Sequence, residues 1–335
     1  MEGVEKRMDE VEQRWMDVVE DFDTAFPPVI DFSRSNHSSP LERSLLVTNH
    51  GISPSIIEDA LSSAAAFFAL PAEEKSVYAS KDLRKSVRYD YEADGPSDEL
   101  ITTRRMLLKH YAHPLQHWIN LWPSKPTHYK EKMGKYADEA WKLALNLIGI
   151  VMESLGVEPR SVQGRFEDGT QVMAINDYPA ASKTPARPDD PFLRLPAHTD
   201  FGCITLLLQT RPGLQVLDPI DGKWKWAPTP PGSLHVHLGD HLQVLTNGSY
   251  RGLNHRVVHS GEKERLSVAS IHSLAMHHRI EVLDALVDEQ NPRAYRGTSF
   301  AEFLDFISGD GTSSSSSSNN GVISTYIDSL KIPEN

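Results

Sequence analysis

The segment AHTDFG, Ala197 to Gly202, sets His198 and Asp200 two residues apart. Its surroundings predict a β-strand, and on a strand residues i and i+2 point to one face. An imidazole and a carboxylate on one face are two of the three protein ligands of a mononuclear non-haem iron(II) site, which uses two histidines and one carboxylate and leaves the other positions open. The pair is weak alone: with 15 histidines and 46 Asp plus Glu in 335 residues, roughly two His-x-Asp or His-x-Glu pairs arise by chance. A second histidine must come from another strand, and the sequence offers several. His255, in GLNHRVVHSGEKERLS, stands out because Arg265 and Ser267 follow it, again two apart on an expected strand. A guanidinium fork beside a hydroxyl suits a carboxylate held by a two-point, charge-assisted hydrogen bond. After a metal ligand, that is a clamp for a metal-chelating dicarboxylate. In INDYPA, Asn176 and Tyr178 share a face of an earlier expected strand, and the phenol can donate to the same ligand.

Such groups need a rigid frame. From about Gln171 the chain runs QVMAIND, LRLPAHTD, CITLLLQ, LQVLD, KWKWAP, SLHVHLG, NHRVVHS and RLSVASIHSLA, short runs divided by Gly, Pro and Asn. That spacing predicts a sandwich or jelly-roll barrel. The first half reads mainly as helix. SIIEDALSSAAAFFAL after Pro54 repeats apolar residues at helical spacing and stops before Pro71. A longer helix is expected from about Thr127 to Leu155, with Met133, Tyr136, Ala140, Trp141, Leu147, Ile148 and Val151 as its stripe. TSSSSSSNNG, Thr312 to Gly321, is a low-complexity run that cannot bury surface and reads as a mobile loop. A second alternating pair, His235 and His237, with Asp240 and His241 close by, is able to make a site of its own, but reads first as a structural strand and turn with one face in the barrel and the other toward solvent or a neighbouring strand. His110 and His113 in KHYAHPLQHW read as helix-to-barrel packing with an edge on the pocket.

The net charge of −12 repels nucleic acid and anionic membranes, and neither is expected as a partner. Cys203 is the sole cysteine, which rules out an intramolecular disulfide and a zinc-thiolate site within the chain. The acidic start MEGVEKRMDEVEQRWMDVVEDF lacks the features of a secretory signal or transit peptide. No window approaches the ~18 apolar residues of a membrane span. A cytoplasmic monomer is the default.

AHTDFGCITLLLQ, GDHLQVLTNGSYRGLNHRVV, ERLSVAS and INDYP together resemble the plant-type 2-oxoglutarate- and iron(II)-dependent dioxygenases, the branch with flavanone 3-hydroxylase, anthocyanidin synthase and the downy-mildew-resistance oxygenases. FPPVIDFS, LLVTNHGIS, FFALPAEEK and LKHYAHPLQHWINLWP extend the resemblance over the N-terminal half. It implies a mainly β fold with flanking α: a double-stranded β-helix (jelly-roll) core carrying a helical N-terminal region. The divisions expected are residues 1–165 for that region, 166–310 for the catalytic barrel and 311–335 for the Ser-rich loop and a C-terminal helix. It further implies His198, Asp200 and His255 as iron(II) ligands, with Arg265, Ser267 and Tyr178 holding 2-oxoglutarate and Asn176 near it. O2 is then the second co-substrate and ascorbate an activator. The implied reaction decarboxylates 2-oxoglutarate to succinate and CO2 and oxidises, above all hydroxylates, a C–H bond of a small, largely apolar plant metabolite or hormone. Asp200 fills the ligand position that halogenases of this scaffold leave to halide, so halogenation is not expected.

Leu107, Lys109, Phe201, Cys203, Ile271 and Ser273 are placed near the substrate pocket. Ile271 stands where many flavonoid enzymes carry an aromatic, and RSNHSSPLERS is shorter than the family's usual helix at that point. Two other functions fit the same residues: a ligand sensor that keeps the barrel without turnover, and an oxidase of the superfamily that needs no 2-oxoglutarate.

Overall fold

The computed structural model describes residues 29–31, 44–94, 102–180, 193–258, 263–308 and 326–333. The strands are β1 (Val29–Asp31), β2 (Ser44–Thr48), β3 (Val87–Asp94), β4 (Thr102–His113), β5 (Thr170–Tyr178), β6 (Leu193–His198), β7 (Ile204–Gln209), β8 (Leu214–Leu217), β9 (Trp224–Trp226), β10 (Leu234–Leu238), β11 (His255–Val258) and β12 (Arg265–Ser273). They form one sheet in the order β1-β2-β10-β7-β12-β5-β4-β3 and a second in the order β6-β11-β8-β9. From β5 onward the chain passes back and forth between the two sheets. This winding is the jelly roll that the sequence pattern predicts.

The helices that bear on the site are α1 (Pro54–Phe68), α2 (Tyr129–Ser154), α3 (Asp240–Leu245), α4 (Phe300–Ser308) and α5 (Tyr326–Leu330). Proline opens α1 in its first turn, where no backbone donor is lost. The stripe expected on α2 is buried throughout.

Antiparallel partners share a face, so the register sorts the large sheet into two sides. One row of the inner side reads Leu107, Asn176, Ser267, Gln209. The next reads Lys109, Ala174, Ala269, Leu207, His235, and a third Tyr111, Val172, Ile271, Thr205, His237. The other side carries Leu108, Met173, Ile175, Val268, Leu206, Leu208 and Val236, which join α1 and α2 in a single apolar core. Both faces are thus committed, one to the core and one to the barrel interior.

The first half is less helical than its sequence suggests. β1 to β4 extend the large sheet on both flanks, and KHYAH lies on a strand. The cause is visible in β4: Leu108, His110 and Ala112 are buried against the core while Lys109 and Tyr111 are buried on the inner side, so the polar/apolar alternation that marks a half-exposed strand is lost. His110 and His113 do pack between sheet and helix. His110 Nε2 lies 3.0 Å from the Tyr129 hydroxyl, and the His113 ring stacks on Trp141 at 3.7 Å. Both lean on α2, so the expected edge on the pocket is not found. TSSSSSSNNG, the acidic N-terminal stretch and all but the last residue of RSNHSSPLERS lie outside the described residues. No helix among the described residues is long and apolar enough to cross a membrane.

Asp177 is a cost built into this sheet. It is buried on the core side of β5, and its Oδ1 has no hydrogen-bond partner among the described residues. Burial pushes its carboxyl up to about 7, Glu264 adding to the shift and Lys75 opposing it. A carboxyl raised in the folded state carries no penalty below the unfolded value near 3.8, and stability is then lost as pH rises through about 7. Asp177→Asn is expected to remove that slope, gaining a few kcal/mol at pH 8 and nothing at pH 3.5. Chemical denaturation across pH checks this; parallel pH profiles for the two proteins would contradict it.

Candidate metal and co-substrate site

His198 closes β6 and His255 opens β11, and the two are directly paired across the strands. Their rings lie 4.2 Å apart. Asp200 does not share the strand, contrary to the expectation from its spacing: β6 ends at His198 and the carboxylate arrives on the loop that follows. That loop is pinned through its backbone. The Asp240 amide donates to Asp200 O at 2.8 Å, the Gly239 amide to Cys203 O at 3.1 Å and the Cys203 amide to His272 O at 2.8 Å. Gly239 permits this approach, since a Cβ there would fall 2.7 Å from Asp200 O.

The loop brings Asp200 Oδ1 to 3.9 Å from His198 Nε2 and 3.8 Å from His255 Nε2. One ligand atom of each residue falls within 4.8 Å of the others. In both rings Nδ1 faces a carbonyl, Pro196 O at 2.8 Å and Leu253 O at 3.2 Å. A carbonyl only accepts, so Nδ1 carries the proton and each Nε2 presents its lone pair toward Asp200. Burial, followed by repulsion from His198, lowers His255 to about 3, which keeps it neutral. Burial alone would raise Asp200, but His255, His237 and His198 together hold it well below the usual carboxylate range. Two imidazoles that present Nε2 lone pairs and an ionised carboxylate can hold a divalent cation on one side, as the facial triad does.

Arg265 begins β12 and is fully buried. Its Nη2 donates to Gln209 Oε1 at 2.6 Å and its Nε to Arg211 O at 3.2 Å. Nη1 has no partner, and no carboxylate among the described residues pairs with the group. A lone buried guanidinium costs several kcal/mol unless an anion joins it. The Tyr178 ring lies 4.9 Å from the guanidinium carbon, Tyr178 is the cross-strand partner of Arg265, and Asn176 is the partner of Ser267. The four residues expected to clamp a dicarboxylate therefore form one block of two adjacent strands. Gly213 leaves room for it: a Cβ there would lie 2.7 Å from Arg265 Nε.

Beyond the triad stands an aromatic wall. Phe201 stacks on Phe300 at 4.5 Å and on Phe303 at 4.7 Å, and Ile271 and Val172 join the same cluster. Leu107 and Lys109 face the interior as their register requires, but Lys109 Nζ is engaged: it donates to Lys85 O at 2.8 Å and Leu83 O at 3.4 Å and lies over the Tyr111 ring. Ser273 is buried with its hydroxyl 2.7 Å from His241 Nδ1, and Cys203 Sγ lies 3.8 Å from it. His235 and His237 are both buried, so neither reaches solvent. His237 stands against Asp200, with Nδ1 3.6 Å from Oδ2.

Residues 169–273 match the model of the 2OG-Fe(II) oxygenase superfamily, and residues 44–125 match that of the non-haem dioxygenase in morphine synthesis N-terminal region. The chain is 42% identical to 2-oxoglutarate-dependent dioxygenase 21, chloroplastic, of Oryza sativa subsp. japonica, over 85% of this chain and 81% of that one. It is 42% identical to flavanone 3-dioxygenase 3 of the same plant, over 78% and 77%. The crystal structure of JOX2 in complex with 2OG, Fe, and JA shares 26% identity and a TM-score of 0.72 over 84% of both chains. The chain belongs to the 2OG-Fe(II) oxygenase superfamily.

The protein is accordingly a 2-oxoglutarate-dependent dioxygenase, an oxidoreductase that uses iron(II) and 2-oxoglutarate and acts on a small molecule. The residues present fit both groups, the cation through the His-Asp-His cluster and the dicarboxylate through the partnerless Nη1 of Arg265. Sequence reasoning missed Gln209, Gly213, Phe300 and Phe303 in this dioxygenase, and read His237 and His241 first as structural residues. Gln209 alternates with Leu207 on β7 and was legible as an inward polar residue; Phe300 and Phe303 come from α4, which no motif tied to the site. Gly239→Ala is expected to destabilise the fold by about 1–3 kcal/mol, the range for overpacking, and to displace Asp200. Equilibrium unfolding would show the loss, and wild-type stability would disprove the close approach.

Proposed function

We propose that His198, Asp200 and His255 hold iron(II), that Arg265 with Ser267, Tyr178 and Asn176 holds 2-oxoglutarate, and that the enzyme hydroxylates a small, largely apolar plant metabolite or hormone. The observation that carries this is the buried guanidinium of Arg265, short of an anionic partner, in the barrel that assembles the three ligand atoms. Bound iron(II) with 2-oxoglutarate and O2 supplies an oxidant able to attack a C–H bond, 2-oxoglutarate leaving as succinate and CO2. The chain's part is placement. Arg265 neutralises the distal carboxylate, Tyr178 donates to it, and the two Nδ1 donors fix the tautomer of both imidazoles and aim each Nε2.

The wall of Phe201, Phe300, Phe303 and Ile271 supports a flat or apolar substrate and keeps water from the reacting carbon. Relatives are named for flavanones, and the structural neighbours include a dioxygenase for auxin oxidation. Aromatics from the Asp200 loop and α4 stand where the ring missing at Ile271 would otherwise serve. Ile271 and Ser273 are then specificity positions, Leu107 lines the opening, and Lys109 shapes it by tying down the Leu83–Lys85 backbone. The chain is read as a region 1–165 built onto a catalytic barrel 166–310 with an extension 311–335, acting as a cytoplasmic monomer with neither nucleic acid nor membrane as partner.

Alanine at His198, Asp200 or His255 is expected to abolish succinate release without loss of the folded far-ultraviolet spectrum; an active variant would remove that residue from the metal site. Arg265→Lys, lacking the fork, is expected to raise the apparent KM for 2-oxoglutarate by about tenfold or more. Gly213→Ala is expected to act in the same direction by displacing the guanidinium, and unchanged KM in both would place the clamp elsewhere. Succinate release should be measured with iron(II), ascorbate and a panel holding flavanones and auxin. Metal binding with no turnover on any member would favour the sensor, and turnover independent of 2-oxoglutarate the oxidase.

A further inference from the structure

The metal-facing cluster has a third imidazole beside it. His237 projects from β10 in the inner row of Thr205 and Ile271 and is 1% exposed. Its ring lies 4.5 Å from that of His255. Neither of its ring nitrogens has a hydrogen-bond partner among the described residues, and neither does Asp200 Oδ2. These unmet groups face each other, Nδ1 3.6 Å from Oδ2. Buried donors and acceptors left unmade cost about 1–3 kcal/mol each, so a pair this close has strong reason to join.

The carboxylate is divided accordingly. Oδ1 faces His198 Nε2 and His255 Nε2, and Oδ2 faces His237. Ligating carboxylates are ordinarily oriented by a hydrogen bond to the oxygen that does not bind metal. We infer that His237 is a positioning residue, donating from Nδ1 to Asp200 Oδ2 and so keeping Oδ1 turned toward the two ligand imidazoles; this rests on the iron site proposed above. His235, two residues earlier, directs its Nε2 at Pro228 O, 2.7 Å away, rather than at Asp200.

The test is metal binding rather than turnover. Anaerobic calorimetric titration with cobalt(II), paired with its visible absorption, is run on wild type, His237→Asn and His237→Leu, with His237→Phe as the apolar variant should the leucine form not fold. An asparagine amide can donate from about where Nδ1 stands, so His237→Asn should bind within about threefold of wild type with an unchanged spectrum. The apolar variant should bind roughly 10–100-fold more weakly. Wild-type affinity in the apolar variant would overturn the inference. Equal loss in both variants, with a new spectrum in each, would overturn it in favour of His237 as a direct ligand. Absence of cobalt binding in wild type would instead strike the iron site itself.

Discussion

Everything in this barrel depends on keeping one ionised carboxylate inside it. Asp200 has a side chain only 10% exposed, and burial alone would protonate it. Three imidazoles around it outweigh that cost and hold it below the usual carboxylate range. The arrangement works only if the imidazoles present nitrogen lone pairs, or a donor, at fixed places. The carbonyls of Pro196 and Leu253 fix two of the rings, and the pairing of β6 with β11 fixes their separation.

The loop that delivers Asp200 is held by backbone, not by side chains. Its partners are the end of β10, the start of α3 and β12, each of which belongs to the large sheet or is attached to it. His198 and His255, by contrast, sit on the small sheet. The site therefore straddles both sheets, and its geometry follows from how they close on each other. The apolar core made by α1 and α2 on the far side of the large sheet is what keeps that sheet from shifting.

Much of this was legible in the residues. Arg265, Ser267, Asn176 and Tyr178 stood out by period-two spacing, and the register puts them on one face because β5 and β12 are long and regular over those positions. The same rule failed for Asp200. A histidine and a carboxylate two apart can meet a metal from a strand or from a turn, and period alone cannot separate the two. The strands of the N-terminal half were missed for a different reason. β4 is covered on both faces, with His110 among apolar residues on the core side and Lys109 between Leu107 and Tyr111 on the inner side, so its sequence shows neither a strand's alternation nor a helix's stripe. His237 was hidden by plausibility, since an alternating buried pair is the commonest way to fill a barrel strand.

The inner face of β12 gives the interior an order that no single motif conveys. Arg265 and Ser267 stand at one end, Ala269 at the middle and Ile271 with Ser273 at the other, a span of about 25 Å at the usual rise per strand residue. Ala269 faces Ala174 across the strand pair and both are only half-buried, so the middle is the open part. Charge stands at one end and aromatic rings at the other, with the row of His237, Thr205 and Ile271 at the aromatic end, a division that suits an anionic co-substrate at one end and an apolar substrate at the other. Because the two ends lie at opposite ends of one regular strand, substitutions at the Ile271 end can reshape that end while the groups around Arg265 stay as they are. That separation is a physical reason one barrel can serve many substrates with one co-substrate.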